Sequence, residues 1–247
     1  MSKRKPIIGI SANVILDESG RFEDFWKSYV NEDYVISVLK AGGIPLILPM
    51  IDDEEAIKQQ VQNIDAIIMT GGDADIHPSK YGQELLPKTQ SPNEKRDWFD
   101  FKLAKIIKDL RMPTLNICRA HQVSNVSRGG TLFQDTSYAK GIDLVHNQYS
   151  TPDFLAHEVN IQKDSLLYDI LQKEKIGVNS FHHQVIDEVA EDLKASAIST
   201  DGAIEAVEYK NTDYFFLSIQ WHPEMMASRG NKDMLKIFER LVKETKI

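Results

Sequence analysis

The sequence predicts an α/β fold, with a mostly parallel sheet, helices on both of its faces and a small antiparallel strand extension. In the first half, short runs rich in isoleucine and leucine alternate with segments of helical periodicity. That alternation is typical of a parallel sheet covered on both faces. In the second half, short strand-like segments dominate. The 247 residues hold no Gly/Ser-rich or Pro-rich linker, so we expect one domain, 1–247.

In the first half, apolar runs predict the strands, and 3.6-residue periodicity with end signals predicts the helices. The predicted strands are 7–11, 45–49, 64–69 and 113–117, and the predicted helices are about 22–40, 52–62, 93–111 and 119–128. Gly42 and Gly43 end the first helix, and Glu54 and Glu55 suit the first turn of the second.

The second half is predicted to be strands at about 156–161, 194–199, 204–209 and 214–220, followed by a helix at 231–243. The stretch 135–179 has the weakest pattern. In parallel sheets, ligands bind beyond the carboxyl ends of the strands. Two loops fall there, one at Gly71-Gly72 and one at Cys118-Arg119.

Composition argues against several classes of partner. The formal net charge is -8. Nucleic acids and anionic membranes select clustered lysine and arginine, so we expect no nucleic-acid partner and no membrane partner. No apolar run approaches the length of a bilayer span. The single cysteine allows no internal disulfide, which fits a reducing cytoplasm, and we expect a cytoplasmic protein.

That cysteine, Cys118, follows an apolar strand directly in the stretch 115–122, LNICRAHQ. A residue on a sharp strand-to-helix turn projects above the sheet, and a helix N-terminus favours a thiolate. Buried free cysteines are also common structural residues. The local pattern alone does not decide between a nucleophile and a buried structural thiol.

Two further loops carry candidate chemistry. The paired glycines in 70–73, TGGD, can turn sharply and direct backbone N–H groups at a ligand. The same glycines also fit an ordinary turn that binds no ligand. His222 and Glu224 flank Pro223 at the end of the last strand. In an extended chain this spacing places both side chains on one side, where the carboxylate would orient the imidazole. Alone, this triplet also fits a surface His and Glu at a strand end.

These stretches belong to an ordered set of motifs. The set is Gly71-Gly72-Asp73, Pro78, Tyr81-Gly82, Arg96-Asp97, CRAHQ at 118–122, Asn125, GGTLFQD at 129–135, NSFHHQ at 179–184, DGAIEA at 201–206 and HPE at 222–224. Together they resemble the class I glutamine amidotransferase superfamily, and most closely its gamma-glutamyl-gamma-aminobutyrate hydrolase-like branch, peptidase family C26. The resemblance runs from about Ile7 to the final helix and implies a flavodoxin-like sheet.

The resemblance also implies the reaction, which is hydrolysis of a small gamma-glutamyl amide through a thioester on Cys118. His222 would be the acid–base group and Glu224 would orient it, while backbone N–H groups of Gly72 and Arg119 would hold the oxyanion. Three further residues are expected to bind substrate: Gln122, His182 and Gln184. We expect no cofactor. We also expect no metal, because adjacent histidines such as His182-His183 point to opposite sides of an extended chain and make a poor metal pair. A homodimer would be unsurprising at this size.

Two residues depart from the family pattern. Asn116 stands where the superfamily usually has a small residue, most often glycine, and Ala120 replaces the second glycine of the elbow. They keep open a non-catalytic binding protein on the same fold. A glutaminase subunit that supplies ammonia to a separate synthetase is a second alternative. The leaving group is also open, among gamma-aminobutyrate, a polyamine derivative, a peptide and an aromatic amine.

Overall fold

The computed structural model describes residues 4–17, 25–211 and 214–245. In chain order, the strands are β1 (Ile7–Ser11), β2 (Asn13–Leu16), β3 (Trp26–Tyr29), β4 (Ile44–Leu48), β5 (Ala66–Met69), β6 (Thr114–Ile117), β7 (Leu132–Phe133), β8 (His157–Ile161), β9 (Lys175–Val178), β10 (Val185–Ile186), β11 (Leu193–Ser199), β12 (Ile204–Tyr209) and β13 (Phe216–Ile219). The α-helices are α1 (Glu32–Lys40), α2 (Glu54–Gln62), α3 (Glu94–Asp109), α4 (Arg119–Val126), α5 (Leu166–Leu171), α6 (Pro223–Ser228) and α7 (Lys232–Lys243).

Nine strands form one sheet in the order β4-β1-β5-β6-β13-β12-β11-β8-β9. The pairs from β4 to β13 are parallel, and those from β13 to β9 are antiparallel. The predicted α/β class is therefore confirmed, and its antiparallel part consists of four strands that continue the same sheet. The crossover connections of the parallel part place helices on both faces.

Two apolar clusters cover the faces of the sheet. One packs α1, α5, α6 and α7 against it through residues such as Val38, Leu171 and Phe238. The other packs α2, α3 and α4 through residues such as Ile57 and Phe99. The strands between them are almost wholly buried, which explains their continuous apolar sequences.

One predicted helix is wrong in part. The segment 22–40 begins its helix only at Glu32, because 26–29 is extended and pairs with β2 as a hairpin. Asn31 keeps an extended backbone before the helix, and Glu32 and Asp33 supply the acidic first turn. The predicted start, Phe22, lies outside the described residues. The weakly patterned stretch 135–179 holds a short helix, α5, and the two strands β8 and β9.

Candidate active site

Cys118 occupies a sharp turn between β6 and α4. Its backbone has φ 54° and ψ −108°, a conformation that is costly for any residue except glycine. Its N–H donates to the carbonyl of Ile219 at 2.8 Å, which ties the turn to the neighbouring strand. The side chain is 5% exposed and lies at the N-terminus of α4. Strain held in place at one nearly enclosed thiol points to a functional position rather than to structural filling.

His222 and Glu224 follow the strand next to the cysteine strand. Ile117 of β6 pairs in register with Ile219 of β13, so the chain leaves both strands at the same edge of the sheet. His222 Nδ1 lies 2.7 Å from Glu224 Oε1. The sequence predicts that this contact forms in an extended chain. Instead, Pro223 begins α6 and Glu224 lies in the first turn of that helix.

The glycine loop fits closely between these groups. A methyl group on Gly71 would lie 3.0 Å from the His222 ring and 3.2 Å from the Cys118 Cβ. The Gly71 N–H donates to the Tyr34 hydroxyl, and its carbonyl accepts from Asn13 Nδ2. Only a residue without a side chain lets the three loops meet at this distance.

Backbone hydrogen bonds and one ring contact fix the positions of His222 and Glu224. Asn179 donates through Nδ2 to the His222 carbonyl at 3.0 Å and accepts the His222 N–H at 2.9 Å through Oδ1. Ser37 of α1 donates to the carbonyl of Glu224. Phe181 places its ring edge-on to the imidazole, with centroids 5.7 Å apart. These contacts leave His222 and Glu224 little freedom to reorient.

The pKa of His222 is raised well above its ordinary value. Burial alone would lower it, but the negative charges of Glu224 and Cys118 and hydrogen bonds to both outweigh burial. The raised pKa favours the imidazolium form of His222 next to the Cys118 sulfur.

The two predicted oxyanion groups are the backbone N–H groups of Gly72 and Arg119. Gly72 follows β5, and Arg119 opens α4, where the first N–H groups of a helix have no intrahelical acceptor. Within the described chain, the hydrogen-bond network supplies neither N–H with an acceptor. Such groups are available to stabilise a developing negative charge.

A cavity of about 230 Å³ opens onto these loops. Its lining consists of Asn13, Tyr29, Val30, Asn31, Tyr34, Thr70, Gly71, Gly72, Asp73, Cys118, Phe181, His222 and Met225. Tyr29 comes from the β2–β3 hairpin, which the sequence did not predict. Asp73 is the single carboxylate among these described lining residues, and none of them carries a lysine or arginine side chain.

Sequence reasoning missed the buried ion network beneath the site. The Arg119 side chain, 1% exposed, pairs with Asp97 and Asp100 of α3 and donates through Nε to the Ala74 carbonyl at 2.7 Å. Arg96 pairs with Asp100 at 2.7 Å. Arginines and acids spaced along one helix gave a signal, but only the fold shows that they are buried. The network fixes the elbow and the glycine loop to α3.

The three predicted substrate-binding side chains lie in the interior and do not line the cavity. Gln122 donates to the Gln184 carbonyl and to Gln220 Oε1, both at 3.2 Å. His182 is 4% exposed and Gln184 is 1% exposed. Their burial favours a supporting role, and a direct substrate contact stays a prediction.

The two departures from the family pattern have different environments. Ala120 is wholly buried in the apolar cluster of α2, α3 and α4, so its methyl group is accommodated. Asn116 is 1% exposed, and neither its Oδ1 nor its Nδ2 has a hydrogen-bond partner among the described residues. The side chain on the cysteine strand is thus an unsatisfied buried amide.

Comparisons with known proteins identify relatives of this chain. The Peptidase C26 family model matches residues 6–224. The protein NtpR of Enterococcus hirae is 36% identical over 97% of this chain and 99% of its own length. The gamma-glutamyl-gamma-aminobutyrate hydrolase of Escherichia coli is 29% identical over 81% of this chain and 80% of its own. The crystal structure of a Thermotoga maritima glutamine amidotransferase superposes with a TM-score of 0.59 at 12% identity, covering 98% of both chains.

Proposed function

Because the chain belongs to the peptidase C26 family, whose relatives are glutamine amidotransferase-like and include a hydrolase, we propose that it hydrolyses gamma-glutamyl amides through a thioester on Cys118. The observation that carries the proposal is the strained Cys118 turn facing a buried His222–Glu224 pair across one cavity. A hydrolase of this kind needs a nucleophile, a proton carrier and an oxyanion site within one small volume.

The chemistry has two halves. The Cys118 thiol gives its proton to His222, and the resulting thiolate attacks the side-chain carbonyl carbon of the glutamyl group, while the N–H groups of Gly72 and Arg119 hold the oxyanion. The protonated His222 gives its proton to the leaving amine as the C–N bond breaks, which leaves a gamma-glutamyl thioester. The neutral imidazole then takes a proton from water, and the hydroxide displaces the thiolate to release glutamate. Glu224 stabilises the charged imidazolium throughout.

The protonated state of His222 matters because a thiol is a weak nucleophile. A cysteine with an ordinary pKa near 8.5 is only about 3% ionised at neutral pH, so full ionisation gains at most roughly 30-fold, about 2 kcal/mol. One oxyanion donor contributes about 3 kcal/mol or more. We therefore expect positioning and the oxyanion N–H groups to account for most of the acceleration.

The lining of the cavity supports an amino-acid-like substrate. Asp73 offers a carboxylate for the α-ammonium group, and the side chains of Asn13 and Asn31 offer amide donors for the α-carboxylate. A substrate held at both groups would have its γ-carbonyl in the same cavity as Cys118. The leaving group would extend away from the glutamyl end, so this cavity does not select among amines.

The first test is labelling with a glutamine-like diazoketone, followed by mass spectrometry of the digested protein. We expect one adduct, on Cys118, and protection by excess gamma-glutamyl amide. Cys118→Ala should lose both labelling and turnover, whereas Asp73→Asn should weaken protection and leave reaction with a plain alkylator unchanged.

Two other outcomes would redirect the assignment. Glutamine preferred over other gamma-glutamyl amides, with turnover that rises on adding a synthetase partner, would favour the ammonia-supplying subunit. Reaction of Cys118 with a plain alkylator but not with the diazoketone, in folded protein, would favour a binding protein without hydrolase activity.

A further inference from the structure

A second cluster of chemically competent side chains lies in the antiparallel half of the sheet. Glu205 of β12 is wholly buried, and three histidine rings converge on its Oε1. His157 Nε2 lies 3.1 Å from that oxygen, His146 Nδ1 lies 3.2 Å from it, and His182 Nε2 lies 3.5 Å from it. All three rings are nearly inaccessible to solvent. The proposed hydrolase chemistry does not use this cluster.

The other ring nitrogens of two of these histidines fix their tautomers. His146 Nε2 lies 3.0 Å from Asp201 Oδ2, and His182 Nδ1 lies 3.0 Å from the Gln184 carbonyl. Both partners are acceptors, so each of these nitrogens carries a hydrogen and donates. In the neutral rings, the nitrogens facing Glu205 are then bare lone pairs.

Lone pairs that face a carboxylate need a cation between them. His146 Nδ1, His182 Nε2 and Glu205 Oε2 are buried and have no hydrogen-bond partner among the described residues. His146 Nδ1 is close to Oε1 but is not oriented as a hydrogen-bond donor to it. Three adjacent unsatisfied acceptors in one buried site are costly unless a positive charge joins them.

The spacing fits a bound metal ion. Ligand atoms at about 2.0–2.1 Å from a tetrahedral zinc ion lie roughly 3.3 Å from one another. His146 Nδ1 and His182 Nε2 lie 3.2 and 3.5 Å from Glu205 Oε1, close to that spacing. Metal-bound histidines commonly donate their second N–H to a carboxylate or a carbonyl, and ligating carboxylates accept a further hydrogen bond. Asp201, the Gln184 carbonyl and His157 fill these supporting roles.

We propose that His146, His182 and Glu205 bind a divalent transition-metal ion, with Zn²⁺ the best match to two imidazoles and a carboxylate. The second oxygen of Glu205 is available as a further ligand. Because the cluster is buried, the ion would be structural and would enter as the protein folds. Adjacent histidines do diverge, as expected, since His183 turns to Asp75 and Asp135. The ligands come from three separate segments, so local spacing gives no signal.

The metal site would fix the position of the segment 179–182, which is hydrogen-bonded to the backbone of His222. The His146 carbonyl accepts the His182 N–H at 2.9 Å and also accepts from Ser180 Oγ. The side-chain amide of Asn179, just before Ser180, forms hydrogen bonds with both the carbonyl and the N–H of His222. Joining His146 to His182 would therefore fix the position of Asn179 and, through it, of His222.

The test measures metal directly, on full-length protein purified without a histidine tag. Mass spectrometry of the elements should find about one equivalent of zinc per chain in the wild type. Removal of the metal by a chelator should lower Tm by several degrees, and added Zn²⁺ should restore it. Co²⁺ in its place should give the visible absorption of a low-symmetry N/O site.

Matched variants locate the site. His182→Asn and Glu205→Gln should lose at least tenfold in metal content, whereas His183→Asn, at the next residue and outside the cluster, should keep it. Three results together would overturn the proposal: wild-type protein without metal, a Tm that responds to neither chelator nor zinc, and no Co²⁺ absorption. The positive charge in the cluster would then be a proton on His146. The wild-type measurements suffice if a variant does not fold, and they do not depend on activity at Cys118.

Discussion

Asn116 and Asn125 are a natural pair for measuring what a buried amide contributes. Both are buried, but only Asn125 is satisfied, since it donates to the carbonyls of Thr131 and Glu188 and accepts the Ala190 N–H. An unsatisfied buried polar group costs about 1–3 kcal/mol. Sequence reasoning identified Asn116 as unusual, but whether it had a partner depended on residues far away in the chain.

We predict that Asn116→Ala leaves the free energy of unfolding unchanged or raises it by about 1 kcal/mol, because the lost amide offsets the small cavity. Asn125→Ala should lower it by about 2–4 kcal/mol, because three hydrogen bonds are lost and their partners stay buried. Urea denaturation of both variants measures the difference. Similar losses in the two would show that Asn116 has a partner in solution.

The charge state of His222 gives a prediction on pH. Its pKa is raised in the folded protein, so the imidazolium stabilises the fold fully below about pH 6.5, the unfolded value. That contribution is lost as pH rises through the folded pKa. His222→Asn should therefore cost most stability near pH 6 and least in alkaline solution.

Glu224→Gln is the control for that pH dependence. It removes the carboxylate charge beside the ring, so the ring pKa measured by NMR should fall. An unchanged ring pKa in this variant would mean that Glu224 does not set the charge of His222.

At the scale of elements, the elbow, the glycine loop and α3 form one unit through buried charges. Arg96, Arg119, Asp97 and Asp100 have almost no exposed side-chain surface. Removing one member of a buried ion pair leaves the other charge buried and unpaired, which typically costs about 3–5 kcal/mol of stability. The family motif includes Arg96-Asp97, but a motif does not say whether a charge is buried.

Asp100→Asn should accordingly destabilise the protein by about 3–5 kcal/mol in urea denaturation, because two buried guanidinium groups lose their shared partner. Asp109→Asn, on the same helix, removes the exposed partner of Lys105 and should change stability by less than about 0.5 kcal/mol. Equal effects of the two substitutions would contradict the importance of burial.

Element by element, the parallel half could be predicted and the added segments could not. Continuous apolar runs such as 64–69 identify buried parallel strands from sequence alone. The hairpin of β2 and β3 was missed because its residues are largely exposed and lack clear alternation. The helix α6 was missed because His-Pro-Glu suited an extended chain until Pro223 was seen to open a helix.

For the whole molecule, one sheet brings both candidate sites into a single framework. The parallel strands place the Cys118 loop and the His222 loop at one edge, and the antiparallel strands carry His157 and Glu205. The glycine-loop, cysteine and His-Pro-Glu motifs each follow a strand, which is why the sequence could indicate the first site. None of the helices described is long and apolar enough to cross a membrane. The homodimer and the absence of a nucleic-acid partner stay predictions.

The register of β6 against β13 has a consequence for how the protein is made. Ile117 and Ile219 pair directly although roughly one hundred residues separate them in the chain. At a synthesis rate of about 5–20 residues per second, His222 leaves the ribosome roughly 5–20 s after Cys118. A nascent chain therefore carries the Cys118 thiol before His222 has been made, and β13, which brings the two loops together, is the last of the described strands to be synthesised. The Cys118–His222 pair can therefore form only once nearly the whole described chain has been made.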